Sequence, residues 1–337
     1  MKPTQHAGTR TLWVPSLGTA CGIAEYTAHL AQYVSGVWVT AAQPEIDRLR
    51  LLHVQHEFVL FDDAELSAYI RCLRDLGVPT VVTEHSVVID ERLKLSIGSA
   101  QHRRERVLTA KRGWERAATA LVALTQISAD ILRLRWPDKR IVHIPHGCPT
   151  WFPPRKLHRG RVIGAFGFLA PYKGFWDLLT VLREVPGTEL VIYSHPRYAS
   201  KYPEYERDWI RASEGLPVRW VREFLPEAEI AKRLAAEADI LAFWYRAGRF
   251  ASSSGAIRVG LATGVPVLAS PIGTFEDVRE VTYQPEDLLD GVRRLLDDTR
   301  LRNRLAAVAR EYCRTNDWSN SARLHLKLWR ELEGVGQ

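Results

Sequence analysis

The sequence predicts an α/β protein built of two doubly wound, Rossmann-like domains that face each other across a cleft. Three observations carry that expectation. The 337 residues exceed the ~250–300 at which a single hydrophobic core stops growing. Apolar runs of strand length alternate with helical periodicity in both halves, the pattern of βαβ units and parallel sheets. The alternation breaks once, at TWFPPRKLHRG (150–160), where proline and lost periodicity mark a linker. The expected domains are 1–150 and 161–318, followed by a last segment, 319–337.

Taken in order, Arg10–Val14 reads as a strand, PSLGTACG as a glycine-bearing turn, and Ile23–Val34 as a helix. A strand, a turn and a helix N-terminus cradle anions. The spacing of Gly18 and Gly22 is not G-x-G-x-x-G, which argues against a nicotinamide or flavin site. Leu49–Gln55 reads as a buried strand delivering Gln55, His56 and Glu57. A helix over Ala64–Leu76 and a strand over Pro79–Thr83 follow, the latter ending in Glu84, His85 and Ser86. Both polar clusters reach the carboxyl rim of one sheet, where α/β enzymes place their chemistry.

Residues 91–116 are helical and basic, carrying Arg92, Lys94, Arg103, Arg104, Arg106, Lys111, Arg112 and Arg116. A solvated helix face has the same composition. Strands at Ala120–Leu124 and Arg140–Ile144 flank a helix over Ile127–Arg135. In the second half, strands are expected from Arg161 and at Glu189–Tyr193, Val218–Val221, Ile240–Trp244 and Pro266–Ala269. Helices are expected at Phe175–Leu182, 204–212, 227–237, 285–297 and 299–313, and an amphipathic one over Ser319–Leu332.

The stretch on which the chain is organised is WYRAGRFASSSGAIRVGLATGVPVLASPIGTF (244–275). Ser252, Ser253, Ser254 and Gly255 sit where a helix of small and apolar residues begins. Its unpaired N–H groups and the positive end of its dipole suit a phosphate; serines that merely cap a helix would read the same.

Composition sets bounds on function. With 46% hydrophobic and 25% charged residues the chain reads as an ordinary globular protein. No apolar stretch approaches the ~20 residues of a membrane span, and MKPTQHAGTR lacks the apolar core of a signal peptide, so the cytoplasm is the expected compartment. Cys21, Cys72, Cys148 and Cys313 are far apart in sequence and form no C-x-x-C, which suggests neither a disulfide framework nor a zinc knuckle. His53, His56 and Glu57 invite a metal reading, but strand alternation sends residues three apart to opposite faces. The net charge of +7 favours a polyanionic partner or substrate.

Six blocks resemble the retaining GT-B glycosyltransferases of the large sugar-nucleotide family 4. They are GTACGIAEYT (18–27), HVQHEF (53–58), TEHS (83–86), HIPHGC (143–148), GFLAPYKG (167–174) and SSSGAIRVGLATGVPVLAS (252–270). They fall in order over nearly the whole chain, each at a strand-to-helix turn. The resemblance implies transfer of a sugar, with retention, from a UDP- or GDP-sugar to an acceptor hydroxyl, without metal or resident cofactor. It places the donor diphosphate between Lys173 and the backbone groups of Ser253, Ser254 and Gly255, with Gly22 allowing close backbone approach. His85 would contact the donor sugar at the reacting centre. His56 and Glu57 would lie on the acceptor side, Glu57 orienting a hydroxyl, and the last helix would fold back towards the first domain.

The departures are as informative. The family's two glutamates around the serine turn are missing: Ala251 and Val259 stand there, or Ala247 on another alignment. Its second-domain arginine is absent too, with Phe168 and Ala170 nearby. Arg246, Arg249 and Arg258 are the candidate replacement cations, and Glu276 the candidate carboxylate. A retaining transfer tolerates this loss, because the leaving phosphate can itself accept the acceptor's proton. A growing polysaccharide or lipid-linked glycan is the first acceptor expected. A nucleic-acid base is the second, on the charge, the tryptophans and the basic 91–116 region with Arg103 and Arg104. From other classes, the chain reads as a GT-B binding protein that has lost catalysis, or as a sugar-nucleotide epimerase, which would need cleft carboxylates that the sequence does not place.

Overall fold

In the computed structural model, residues 8–88, 113–154, 160–196, 202–248 and 250–334 are described. They divide into two compact units. The first holds Met1–His146, Arg249–Ser253 and Trp318–Gln337; the second holds Gly147–Gly248 and Ser254–Asp317.

The first unit contains strands β1 (Thr9–Trp13), β2 (Val37–Thr40), β3 (Leu49–His56), β4 (Thr80–Glu84), β5 (Ser86–Val88), β6 (Ala120–Ala123) and β7 (Arg140–His143). Six of them form one parallel sheet in the order β2-β1-β3-β4-β6-β7. Its helices are α1 (Gly22–Gln32), α2 (Asp63–Asp75), α3 (Gln126–Arg135) and, from the end of the chain, α10 (Trp318–Leu332). Period-two alternation sends Leu52, Val82 and Leu121 into one apolar layer with Ile70 and Leu73 of α2. Leu51, Val81 and Val122 enter the opposite layer with Tyr26, Leu30, Trp318 and Trp329. The central strands β3, β4 and β6 are therefore buried on both faces, which is why apolar residues follow one another in them instead of alternating with exposed ones.

The second unit holds β8 (Val162–Phe166), β9 (Glu189–Tyr193), β10 (Val218–Val221), β11 (Ile240–Phe243) and β13 (Val267–Ala269). They form a parallel sheet in the order β10-β9-β8-β11-β13. Its helices are α4 (Phe175–Glu184), α5 (Pro203–Ser213), α6 (Glu227–Glu237), α7 (Gly255–Ala262), α8 (Leu288–Asp297) and α9 (Thr299–Thr315). Ile163, Ala165, Leu190 and Ile192 pack under α4 and α8 on one face, and Leu241, Phe243, Ile257 and Leu261 on the other.

Four elements depart from the sequence reading. β2 is a four-residue strand at the sheet edge, and a 3₁₀ segment covers Gly273–Val281, where only a turn is expected. Strand β12 (Phe250–Ser252) pairs antiparallel with β5, Phe250 opposite Val88 and Ser252 opposite Ser86, so 250–252 is strand rather than turn. Helix α8 begins at Leu288, not near 285, because the Asp287 side chain accepts from Asp290 N and so fixes the N-cap. The 91–116 region lies mostly outside the described residues, Arg103 and Arg104 included; residues 113–117 are helical.

Candidate functional site

In the second unit, strand order reverses between β8 and β11. The carboxyl ends of the strands flanking such a switch point form the ligand crevice of an open α/β sheet. The turn after β8 carries Lys173 and the segment after β11 carries Tyr245. Lys173 Nζ donates to the Tyr245 hydroxyl at 2.6 Å and lies 3.9 Å from the centre of that ring. Burial pulls the Lys173 ammonium below the ordinary lysine range, with Tyr172 acting in the opposite direction. Burial also pushes the Tyr245 phenol up, with the Ser254 hydroxyl beside it acting against the shift. Lys173 makes no ion pair among the described residues, so its positive charge stays uncompensated in a partly dehydrated corner.

Gly174 makes this corner possible. It is left-handed, φ +67°, and a Cβ there would stand 1.7 Å from the Trp244 carbonyl oxygen. The chain after β11 thus presses against the turn, and Arg246 N donates to Tyr172 O at 2.8 Å. Gly174→Ala is expected to displace the turn. Thermal unfolding should show a loss well above the ~1 kcal/mol of an ordinary left-handed penalty, and nucleotide affinity should fall with it.

Helix α7 begins beside Tyr245. Ser254 is its N-cap residue and places no side-chain bond on the first turn. The Ser254 hydroxyl lies beside the Tyr245 phenol. The start of α7, with its uncapped N–H groups and dipole, therefore lies beside Tyr245 and the Lys173 amine, an arrangement suited to a phosphate or diphosphate.

Of the three arginines considered as replacement cations, Arg258 is fully buried, donates to Ser254 O at 2.9 Å and pairs with Asp277. It braces the helix entry from beneath rather than offering a free charge. Arg246 is exposed and pairs at 3.5 Å with Asp177, and Arg249 lies outside the described residues. Glu276 is exposed and paired with Arg279. The missing glutamate also has a physical reason: Ala251, on β12, is 4% exposed within the first unit's apolar core, where a carboxylate would be stranded.

In the first unit the order reverses between β1 and β3. His85 follows β4 and is nearly buried, its Nε2 2.9 Å from Gln55 Oε1 and its ring edge-on to Tyr26. Burial, then the nearby His56 and His325, lower its pKa to about 3, so it is a neutral imidazole at pH 7. Glu57 is committed locally: Oε1 accepts from Phe58 N at 2.9 Å and Oε2 from the Ser86 hydroxyl at 2.7 Å. His56, expected on the acceptor side, is instead a core residue, bonded to Asp63 at 2.9 Å, stacked on Phe61 and tilted against Trp114. Gly22 opens α1, with nothing within 4 Å of where a Cβ would stand. Tyr245 is the residue that sequence reasoning missed as a site partner, and the aromatic WY pair at the end of β11 is its signal.

Solved structures of similar fold cover nearly the whole chain. HepE of Anabaena, solved in complex with UDP and glucose, matches 96% of this chain and 100% of its own with TM-score 0.71 and 14% identity. Sucrose-phosphate synthase of Thermosynechococcus elongatus matches 98% and 100% with TM-score 0.73 and 16% identity. A glycosyltransferase of Rickettsia africae matches 97% and 99%, TM-score 0.66, 13% identity. The fold is GT-B. Among curated proteins, a D-inositol 3-phosphate glycosyltransferase of a Nocardioides species is 35% identical over 77 residues, a stretch that spans 20% of this chain and 17% of that protein. No family model matches the chain. Among the described residues, no helix is long and apolar enough to cross a membrane.

Proposed function

We propose that this GT-B chain is a glycosyltransferase that moves a sugar from a nucleoside-diphosphate sugar to an acceptor hydroxyl with retention and without a metal. The observation that supports the reading best is the uncompensated Lys173 amine beside Tyr245 and the uncapped start of α7, at the switch point of the second sheet. A nucleoside diphosphate gains negative charge as it departs. Fixed donors in a dehydrated corner stabilise that charge without reorganising. The leaving phosphate then serves as the base for the acceptor's proton, so the alanine at 251 does not stop the reaction. In this reading the first unit contributes neutral His85 towards the donor sugar and Glu57 towards the acceptor, which is a polysaccharide or lipid-linked glycan.

The test is a thermal-shift screen across nucleotides, followed by incubation with UDP- and GDP-sugars and measurement of donor hydrolysis. Binding to the native state raises Tm with affinity. A shift with one nucleoside diphosphate, together with slow release of that nucleotide from its sugar, is the expected result. No shift with any nucleotide and no turnover of any donor would refute the assignment. A steep loss of acceptor binding with added salt would turn the acceptor towards nucleic acid.

A further inference from the structure

Helix α7 is entered from a strand that the first unit holds. Residues Arg249–Ser253 group with the first unit, and Ser254 opens the next stretch of the second. Strand β12 runs antiparallel to β5, with Phe250 opposite Val88, Ala251 opposite Val87 and Ser252 opposite Ser86. Alternation along the strand sends Ala251 into the apolar core that Val87 also enters, and both are buried. Phe250 faces the other way and rests on Phe58, ring centroids 5.2 Å apart. Helix α3 adds a further anchor: the Ser128 hydroxyl accepts from the Thr125 hydroxyl at 2.8 Å and donates to Ala251 O at 3.3 Å. A ladder, a core side chain and a side-chain bond thus fix three consecutive residues.

We propose that Ala251 is a positioning residue: by seating β12 on β5 it fixes the backbone that enters α7, and so aims the N–H groups offered to the donor diphosphate. The inference rests on the nucleotide-sugar reading of that helix start. α7 has no cap of its own. Ser254 is extended, φ −100° and ψ 112°, and its side chain bonds none of the first-turn amides, so the chain before it sets where the helix begins. Only Ser253 separates β12 from that N-cap, and no loop absorbs a shift of the strand. β5 starts directly after His85, and the Ser86 hydroxyl holds Glu57 Oε2. One ladder therefore ties the segments carrying both first-unit candidates to the entrance of the phosphate-binding helix. The small side chain at 251 permits this. Val87 fills the core opposite, and a larger side chain would force the two strands apart. The glutamate that the family carries here on one alignment would do the same, so restoring it is expected to impair the site instead of completing it.

The experiment joins hydrogen exchange at 86–88 and 250–252 with calorimetric titration of the full chain by UDP, GDP, ADP and inorganic pyrophosphate. Ala251→Val is expected to speed exchange of both segments about tenfold or more, the range of overpacking one core site. The same variant should bind pyrophosphate and the best nucleoside diphosphate about tenfold more weakly, the scale of a partly buried helix-end contact with an anion. Ala251→Val combined with Val87→Ala keeps the summed volume across the ladder and should restore both protection and affinity. Ser128→Ala removes the bond to Ala251 O and should act in the same sense, about three- to tenfold; it decides the matter should Ala251→Val fold poorly. Faster exchange of β12 with affinity unchanged would make Ala251 a packing residue and overturn the inference while leaving the donor reading intact. So would a swapped pair that regains protection without regaining affinity. Wild-type protein that binds neither pyrophosphate nor any of the three nucleotides would overturn both.

Discussion

Lys173→Met is expected to lower kcat/KM for donor turnover by about a hundred- to a thousandfold, the usual cost of removing one preorganised charge-stabilising donor. The same change should leave Tm equal to or above that of the wild type. These two outcomes belong together. Burial already holds the Lys173 ammonium below its ordinary range, and its contacts are a phenol and two ring faces rather than a carboxylate. The fold therefore bears the cost of a poorly solvated charge, and an apolar chain of similar length removes that cost. An incoming diphosphate removes it too, which is how the cost becomes affinity. Loss of Tm by several degrees with nucleotide binding retained would make Lys173 a structural residue and take the central support from the assignment. Tyr245→Phe should act in the same direction but less, since it deletes one hydrogen bond and keeps the ring.

Much of this arrangement is legible in the sequence, and the boundary between what is and is not is physical. Strands buried on both faces announce themselves: β3 and β4 carry consecutive apolar residues because Leu51 and Leu52, or Val81 and Val82, each have a core to enter. The Lys173–Gly174 turn is legible because proline and glycine in LAPYKG break the pattern between a strand and a helix. Strands β5 and β12 are not. Each is three residues long, and they exist only because distant segments meet; no local periodicity encodes such a pairing. His56 misled for a related reason. Its place at a strand end says rim, whereas its partner Asp63, at the start of α2, draws it into the core. Tyr245 was passed over because an aromatic after a buried strand ordinarily reads as packing, and only the 2.6 Å bond to Lys173 distinguishes it. The absence of the glutamate pair is plain in the sequence, but the reason for one absence, Ala251 sealed in the first unit's core, lies in strand β12, which no local pattern encodes.

Acid should destabilise this protein through its buried histidines. The indole of Trp329 donates to His53 Nδ1 at 3.0 Å. Because an indole nitrogen can only donate, that imidazole nitrogen is bare, and Nε2 carries the proton shared with Thr83 at 2.8 Å. His325 faces a backbone carbonyl, Ser321 O, from Nδ1 at 2.8 Å, so its bare nitrogen is Nε2, which has no partner. The two rings lie 5.4 Å apart. Burial lowers both, His325 to about 4 and His53 well below its ordinary range, with His325 and His85 adding to the latter. A histidine whose folded pKa is depressed contributes stability that is complete above its unfolded value near 6.5 and is lost as pH falls towards the folded value. For His325 alone, the loss between pH 7.5 and pH 5 is about 2 kcal/mol. Urea unfolding at the two pH values measures it, and His325→Phe should return about that much of the difference, since the replacement ring leaves nothing to protonate. An unchanged pH dependence in the variant would take the acid loss away from His325 and leave it to the other buried histidines, His53 and His85, or, if it began only near pH 4.5, to carboxylates such as Glu333 between Arg10 and Arg50. The histidine route starts at higher pH and acts on α10, which carries both His325 and Trp329, so its signature is a Trp329 fluorescence change in mild acid that His325→Phe abolishes.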